Sequence, residues 1–195
     1  MVYERAYQIQ KDLVARRAAS SDEPNHLLLV EHPATYTFGR KASQDSVSVC
    51  EGIAVERGGE ATYHNPGQLV AYPIVRLEGV DRDVHRFLRL LEDIVIECLE
   101  HFSIRGERKQ GATGVWVDHQ QRKIASIGIA VSSWVTYHGL ALNVENDLSG
   151  FSKIHPCGFS ASVMTSMKQE LGESCPKMAE VKAQLIESFQ RRFPQ

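Results

Sequence analysis

The sequence predicts an α/β domain of the α+β kind, in which helices flank a mixed, largely antiparallel β-sheet. Apolar residues recur at helical spacing at both ends of the chain and once near its middle. The runs between these segments are rich in branched and aromatic residues, as strands are. Because no repeat, low-complexity tract or linker interrupts the 195 residues, we expect one domain over residues 1–195.

The helical segments differ in the strength of their pattern. Residues 3–17 predict a first amphipathic helix, with Arg16 and Arg17 at its C-terminal end. The clearest pattern covers residues 83–102, where Asp83, or Asp81 before it, can cap the N-terminus. The last thirty residues predict a short helix and then a longer one.

The strands are predicted by seven apolar runs. Two core strands are expected from LLLVEHP and TYTFGRK, and two more from IAVERGG and QLVAYPIV, with a polar loop between this second pair. An antiparallel meander is expected from GATGVWVD, RKIASIGIAVS and SWVTYHGLALNV.

Composition excludes several classes of function. The net charge of −2 and the pI of about 6.4 argue against a nucleic-acid partner. No apolar run approaches the roughly 20 residues of a membrane span, and the charged N-terminus is unlike a signal peptide. The four cysteines include no CxxC pair, as is usual for thiols that stay reduced. We therefore expect a cytoplasmic protein that binds neither nucleic acid nor membrane.

Three stretches combine residue types that carry chemistry. The first, RGGEATYHNPGQL, is either a structural turn or a loop whose glycines, cation and imidazole contact a ligand. In the second, Lys123 interrupts an apolar strand, either as an edge-strand charge or as a partly desolvated amine. In the third, KIHPCGFSASVMT, Cys157 is the best candidate for a nucleophile if a cation such as Lys123 lies near it. A packed thiol, or a weak zinc ligand with His155, are the alternatives.

Taken together, these stretches resemble the octanoyltransferases of lipoate synthesis, the lipoyl(octanoyl) transferases. The family patterns RGGxxTYHGPGQLVxYPI, KIAxxG with HGLALN, and PCG with VTS appear here as RGGEATYHNPGQLVAYPI, KIASIG with HGLALN, and PCGFSASVMTS. They occur in the same order and lie within residues 27–166. Asn65 departs from the family's glycine, and we expect its side chain to narrow the mouth of a substrate pocket.

The resemblance implies a fold like the catalytic domain of biotin and lipoate protein ligases, and a two-step acyl transfer. Cys157 would take the octanoyl group from octanoyl-acyl carrier protein, with Lys123 as its partner, and pass it to a lysine amine of a lipoyl domain. No cofactor and no metal are implied, because the thioester is already activated. The substrate-binding segments, with backbone N–H groups for the acyl carbonyl, would be Arg57, Gly58, Gly59, Glu60, Ala61, Thr62, Tyr63 and His64; Ser126, Ile127 and Gly128; and Gly139, Leu140 and Ala141.

The implied partners are acyl carrier protein, the lipoyl domains of 2-oxoacid dehydrogenase complexes and the glycine cleavage H protein. We expect the protein itself to be a monomer. Basic residues such as Arg40, Lys41, Arg76 and Lys153 are expected to steer these acidic domains. Two alternatives are an ATP-dependent lipoate or biotin ligase and a non-catalytic relative that binds carrier domains. The missing phosphate-loop motifs argue against the first, and the presence of both Cys157 and Lys123 argues against the second.

Overall fold

The computed structural model describes residues 1–42, 50–154 and 160–193. Elements are numbered in chain order within these residues. The helices are α1 (Tyr3–Ala19), α2 (Val84–His101), α3 (Met167–Leu171) and α4 (Met178–Arg192). The strands are β1 (His26–Val30), β2 (Thr35–Phe38), β3 (Ile53–Ala54), β4 (Ala61–His64), β5 (Gln68–Ile74), β6 (Glu107–Lys109), β7 (Ala112–Val117), β8 (Arg122–Ser132) and β9 (Val135–Asn143).

A six-stranded antiparallel sheet in the order β1-β5-β9-β8-β7-β6 forms the centre of the fold. The interior strands β5 and β9 are buried along their whole length, and most of their residues are apolar. The predicted meander is confirmed as β7, β8 and β9. The prediction that LLLVEHP forms a core strand was wrong, because β1 is a half-buried strand at the edge of the sheet.

A second sheet has three strands in the order β3-β2-β4. Strand β2 pairs parallel to β3 and antiparallel to β4. The segment ATYH, which we expected to lie in a polar loop, is strand β4, and three of its four residues are buried. The two sheets together confirm the predicted mixed, largely antiparallel architecture.

Helices cover both faces of the large sheet. Helices α2 and α4 pack on one face, where residues such as Leu91 and Leu185 join Leu69 and Leu142 in the main core. Helix α1 covers the other face with residues that include Leu13. Because side chains alternate along a strand, neighbouring residues of β5 and β9 serve the two layers in turn.

The predicted boundaries of the long helices are largely confirmed. Asp83 is the N-cap of α2 and accepts hydrogen bonds from the backbone N–H groups of His85 and Arg86. Cys98 lies on the buried face of α2 as expected. Helix α3 ends at Gly172, whose φ of 57° suits a residue without a side chain. Within the described residues, no helix is long and apolar enough to cross a membrane.

Candidate active site

A cleft that opens to solvent lies on the face of the large sheet that α1 covers. All of the predicted substrate-binding residues except Glu60 and Tyr63 line it. The structure thus brings together three segments that are far apart in the sequence. The lining residues are Tyr3, Arg57, Gly58, Gly59, Ala61, Thr62, His64, Val70, Tyr72, Ser126, Ile127, Gly128, His138, Gly139, Leu140 and Ala141.

Strands β8 and β9 place two of these segments side by side. Ser126 pairs with Ala141, Ile127 with Leu140, and Gly128 with Gly139. Leu140 and Ala141 also pair with β5 on their other side. Their backbone N–H groups are therefore committed to the sheet, which corrects the expectation that they hold an acyl carbonyl. Ala141 lies in the apolar cluster of Val70 and Tyr72 on the cleft side of the sheet, whereas the Leu140 side chain belongs to the main core on the opposite face.

The RGG segment crosses directly over β8. The Gly58 N–H donates to the carbonyl of Ile129 at 2.9 Å, and a Cβ at position 128 would come within 2.7 Å of the Gly58 oxygen. Only glycine at 128 permits this approach. The Arg57 guanidinium donates to the carbonyl and hydroxyl of Thr37 in β2 at 2.7 and 3.0 Å. These bonds anchor the segment to the small sheet.

His64 is held in one tautomer by its neighbour Gln68. The Gln68 amide group donates to the Tyr63 carbonyl and to Asn143 Oδ1, so its Oε1 accepts from His64 Nδ1, at 2.7 Å. Burial lowers the pKa of His64 to about 3. The imidazole is therefore neutral near pH 7.

Four cleft residues were not predicted from the sequence: Tyr3, Val70, Tyr72 and His138. Tyr3 belongs to α1, and its hydroxyl lies 3.4 Å from His138 Nδ1. His138 has a φ of 57°, which is uncommon for a residue with a side chain, and its N–H donates to Gln10 of α1 at 2.8 Å. Burial lowers the pKa of His138 to about 4. The histidine in HGLALN was the one signal that pointed to this group.

Glu60 and Tyr63 lie apart from the cleft lining. The Glu60 carbonyl accepts from the Gly39 N–H at 3.1 Å. The Tyr63 ring packs against Tyr36 and Phe151. Tyr63 also lies so close to Gly150 that a Cβ there would be 2.2 Å from the ring. Its contacts support the segment Ser149–Lys153 rather than the cleft.

Lys123 lies in β8, an interior strand between β7 and β9, and its side chain is completely buried. The edge-strand interpretation of this lysine is therefore wrong. Its Nζ donates to the Thr113 carbonyl at 2.9 Å and lies 5.5 Å from the centre of the Trp116 ring. Its backbone carbonyl accepts from the Thr165 N–H at 3.0 Å, and it also forms a parallel bridge with Met164.

Cys157, with His155 and Gly158, lies outside the described residues. The chain on either side of them is anchored in one apolar cluster, which contains Phe151 and Ile154 before them and Met164 after them. The thiols that the structure describes, Cys50, Cys98 and Cys175, all have a pKa raised by burial, that of Cys98 to about 12. Raised pKa values make these three thiols poor nucleophiles.

A network of buried side-chain amides joins the predicted stretches, and we call Asn65, Gln68, Asn143 and Asn146 the amide network. Asn143 Oδ1 accepts from Gln68 at 2.9 Å and from Asn146 at 3.2 Å. Asn65 accepts from Asn146 at 3.0 Å and donates to the Asp147 carbonyl at 2.9 Å. The side chain of Asn65 therefore points into this network and is absent from the cleft lining. The expectation that it narrows the mouth was wrong.

In the described part of the chain, no group of three or more His, Cys, Asp or Glu side chains is placed to hold a metal ion.

The fold is that of the lipoate and biotin ligases. The crystal structure of lipoate-protein ligase A bound with ATP superposes with a TM-score of 0.69 over 94% of this chain and 80% of that one, at 15% identity. A bipartite lipoate protein ligase from Thermoplasma acidophilum, solved in a study with its E2 lipoyl domain, gives 0.69 at 16% identity, over 94% and 78%. Biotin protein ligase from Aquifex aeolicus gives 0.51 at 14% identity, over 83% and 68%.

Sequence relatives narrow the class. Residues 3–190 match the family model of the lipoyl protein ligase A/B catalytic domain. An octanoyltransferase of Syntrophotalea carbinolica is 46% identical over 97% of this chain and 89% of its own. One of Gloeobacter violaceus is 50% identical over 83% of this chain and 73% of its own. The chain therefore belongs to the octanoyltransferases of the lipoyl protein ligase A/B catalytic-domain family.

Proposed function

We propose that this enzyme takes octanoyl groups from octanoyl-acyl carrier protein and transfers them to a lysine amine of a lipoyl domain, through a thioester on Cys157. Its relatives support octanoyl transfer, and the carrier donor and the thioester are our extension. The observation that carries it is the position of Lys123. Its amine is wholly buried, and its backbone, in an interior strand, pairs with Met164 and Thr165 in the chain that leaves the Cys157 stretch.

In the first step, the Cys157 thiolate attacks the thioester carbonyl of the donor. The C–S bond to the carrier breaks, and the departing carrier thiolate takes a proton that Lys123 has held. In the second step, the acceptor amine attacks the Cys157 thioester, an amide forms as the C–S bond breaks, Cys157 leaves as a thiolate, and the proton lost by the amine passes to Lys123, which restores the starting pair. An ammonium group favours the thiolate form of a neighbouring cysteine, so one cation serves both steps.

The cleft suits the acyl chain. The apolar side chains of Val70 and Ala141, which cluster with Tyr72, line it, while glycines keep the RGG crossing close to the sheet. Ser126, three residues from Lys123 along β8, lies at the same cleft. We propose that the acyl tail enters this cleft with its carbonyl toward the Lys123 end.

The reaction proposed here uses no cofactor or metal, since a thioester needs no further activation. The partners are acyl carrier protein and the lipoyl domains of 2-oxoacid dehydrogenase complexes and of the glycine cleavage H protein. We also propose that the enzyme acts as a monomer in the cytoplasm, where it meets these carrier-domain partners.

The test weighs the intact protein after incubation with octanoyl-acyl carrier protein. We expect an added octanoyl group on wild type that hydroxylamine removes and that Cys157→Ala lacks. The matched control is Cys175→Ala, a thiol at the start of α4, which should acylate as wild type does. Acylated protein separated from the donor should then octanoylate a lipoyl domain without ATP. No adduct on wild type, or modification only with free octanoate and ATP, would refute the proposal and favour a ligase.

A further inference from the structure

Glu92 is a carboxylate in the interior of the protein that takes no part in the proposed reaction. It lies on α2, and its side chain is completely buried. Oε2 accepts from Arg89 at 2.7 Å and lies 3.3 Å from Arg108 Nε. A buried carboxylate is costly unless it is paired and hydrogen-bonded, so the second oxygen also needs a partner.

That partner is a peptide group. Glu92 Oε1 accepts from the Gly114 N–H at 3.0 Å. The carbonyl of the same peptide, that of Thr113, accepts from Lys123 Nζ at 2.9 Å. One amide unit thus connects the carboxylate and the ammonium, with the negative charge at its N–H and the positive charge at its oxygen. Each bond polarises the amide in the sense that strengthens the other.

The backbone at this peptide is shaped for the contact. Gly114 has a φ of 127°, and a Cβ there would lie 2.6 Å from Lys123 Cε and 2.5 Å from the Ala125 carbonyl. A side chain at 114 would therefore displace the lysine or the strand. The peptide is placed to hold the Lys123 side chain against β7, and the carboxylate fixes the peptide.

We infer that Glu92 is a positioning residue, which holds the Lys123 amine in place through the Thr113–Gly114 peptide. The inference rests on the proposed function, because it gives Lys123 its chemical role. Arg89 and Arg108, which are about half exposed at 47% and 40%, partly balance the carboxylate from the solvent side. The Thr113–Gly114 peptide, which Glu92 polarises, carries the rest of the effect of the carboxylate to Lys123.

The first measurement needs no activity. In Glu92→Gln the amide oxygen still accepts from Gly114, but the charge is gone. We expect the Gly114 amide and the Lys123 ¹⁵Nζ resonances to shift relative to wild type. In Arg89→Gln the carboxylate is less balanced, so both should shift in the opposite sense. The control is Glu97→Gln, a carboxylate on the same helix that pairs with Arg191 and Arg192, which should move neither. A Lys123 resonance unmoved in both Glu92→Gln and Arg89→Gln overturns the inference.

The second measurement follows acylation of Cys157 in a single turnover. Glu92→Gln should slow acylation roughly tenfold, as expected when one charge-assisted hydrogen bond weakens, with little change in KM for the carrier. Lys123→Ala with Glu92→Gln should be no slower than Lys123→Ala alone. If Glu92→Gln instead slows the Lys123→Ala protein by the same factor as wild type, Glu92 acts on the fold and the inference fails.

These outcomes separate the two proposals. A shifted Lys123 resonance together with full activity of Lys123→Ala would keep the Glu92–Lys123 coupling and remove the proposed role of the lysine. Absence of any thioester on wild type removes the proposed function while the resonance test still decides on Glu92. Should Glu92→Gln fail to fold, the Arg89→Gln shift alone decides, because that side chain is half exposed and its removal leaves the core intact.

Discussion

Asn143 donates a hydrogen bond from its side-chain amide to the carbonyl oxygen of Thr165, across 2.9 Å. The N–H of Thr165 in turn donates to the Lys123 carbonyl at 3.0 Å. The amide network is therefore connected to the strand of the buried lysine through a single residue of the chain that follows the Cys157 stretch. This connection makes Asn143 more important to the site than its place outside the cleft suggests.

Replacing Asn143 with Asp tests that connection. The carboxylate cannot donate to Thr165, and a charge is left next to a carbonyl oxygen in the interior. We expect the free energy of unfolding, measured with urea, to fall by about 1–3 kcal/mol, and acylation to slow as well. Gln190→Glu makes the same chemical change on the exposed side of α4 and should leave both quantities near wild type. Unchanged stability of Asn143→Asp would show that the network is not a fixed set of bonds.

Lys123→Met tests the proposed proton carrier while keeping an unbranched apolar side chain in place. General acid–base groups contribute about a hundredfold to ten-thousandfold, and we expect a loss of acylation rate within that range. Lys109 is a matched control, since its Nζ also donates to a carbonyl, that of Gln120, and lies 4.3 Å from the centre of the Trp116 ring. Acylation by Lys109→Met should stay close to wild type. Equal rates for both variants would assign Lys123 a purely structural role.

The buried imidazoles predict how stability depends on pH. The pKa values of His64 and His138, about 3 and about 4, are below the ordinary 6.5 because burial disfavours the charged form. Between about pH 6.5 and pH 4, the unfolded chain therefore binds more protons at these two histidines than the folded chain does. Stability is fully present above pH 6.5 and falls as the pH drops toward 4, by about 1.4 kcal/mol per pH unit for each imidazole.

Urea unfolding at a series of pH values checks this dependence. His64→Gln should reduce the slope of the free energy of unfolding against pH, below pH 6.5, by the contribution of one proton, about 1.4 kcal/mol per pH unit. His85→Gln, at an exposed position in the first turn of α2, should leave the slope as it is. A slope unaltered by His64→Gln would mean that the ring is charged in the folded protein.

Two basic residues next to the cleft-lining segment test whether charge steers the carrier domain. Arg40 and Lys41 are exposed, and their N–H groups donate to the carbonyls of Arg57 and Gly59 in the segment that lines the cleft. Reversing both to Glu should lower kcat/KM for octanoyl-acyl carrier protein about tenfold at low salt, because steering of an acidic partner is lost. Activity with octanoyl-pantetheine, which has no carrier domain, should not change.

The control for this prediction is Arg105→Glu. Arg105 lies next to the opposite edge strand of the large sheet and forms an exposed ion pair with Glu107. A similar loss with both thioesters would indicate damage to the cleft rather than loss of steering. Arg76, another of the basic residues expected to steer the acidic partners, forms an ion pair with Glu78 and donates to the Arg17 carbonyl.

Sequence reasoning worked best where one local pattern decides the structure. The helix capped by Asp83 and the meander that contains Lys123 follow from periodicity and turn residues. It failed where a contact depends on the tertiary fold. The sequence predicts a loop where strand β4 lies, because these four residues pair only with β2 of the small sheet. Glu92 was missed because a carboxylate within an apolar helical pattern is usually the exposed residue of its turn.

Dependence on the tertiary fold also explains why part of the cleft could not be predicted. Its segments were found by their motifs, whereas Tyr3 and Tyr72 lie in ordinary helical and strand patterns and face the cleft only because α1 crosses β5 and β9. Arg57 was expected to contact a ligand, but its guanidinium donates to Thr37, a residue that the sequence alone does not place next to it. Backbone N–H groups in strands cannot be assigned to a ligand until both neighbouring strands are known.

The amide network also has a consequence for folding. The bond between Gln68 and Asn143 joins residues that are 75 apart in the sequence, and that between Asn65 and Asn146 joins residues 81 apart. Contacts of such range form after the local helices and hairpins, since a long loop must be closed first. The surroundings of Lys123 are thus completed only when most of the chain has folded. Under the proposed mechanism, Cys157 of a nascent or partly folded chain would lack the nearby ammonium that favours its thiolate, so it should take acyl groups from the carrier more slowly than in the folded enzyme.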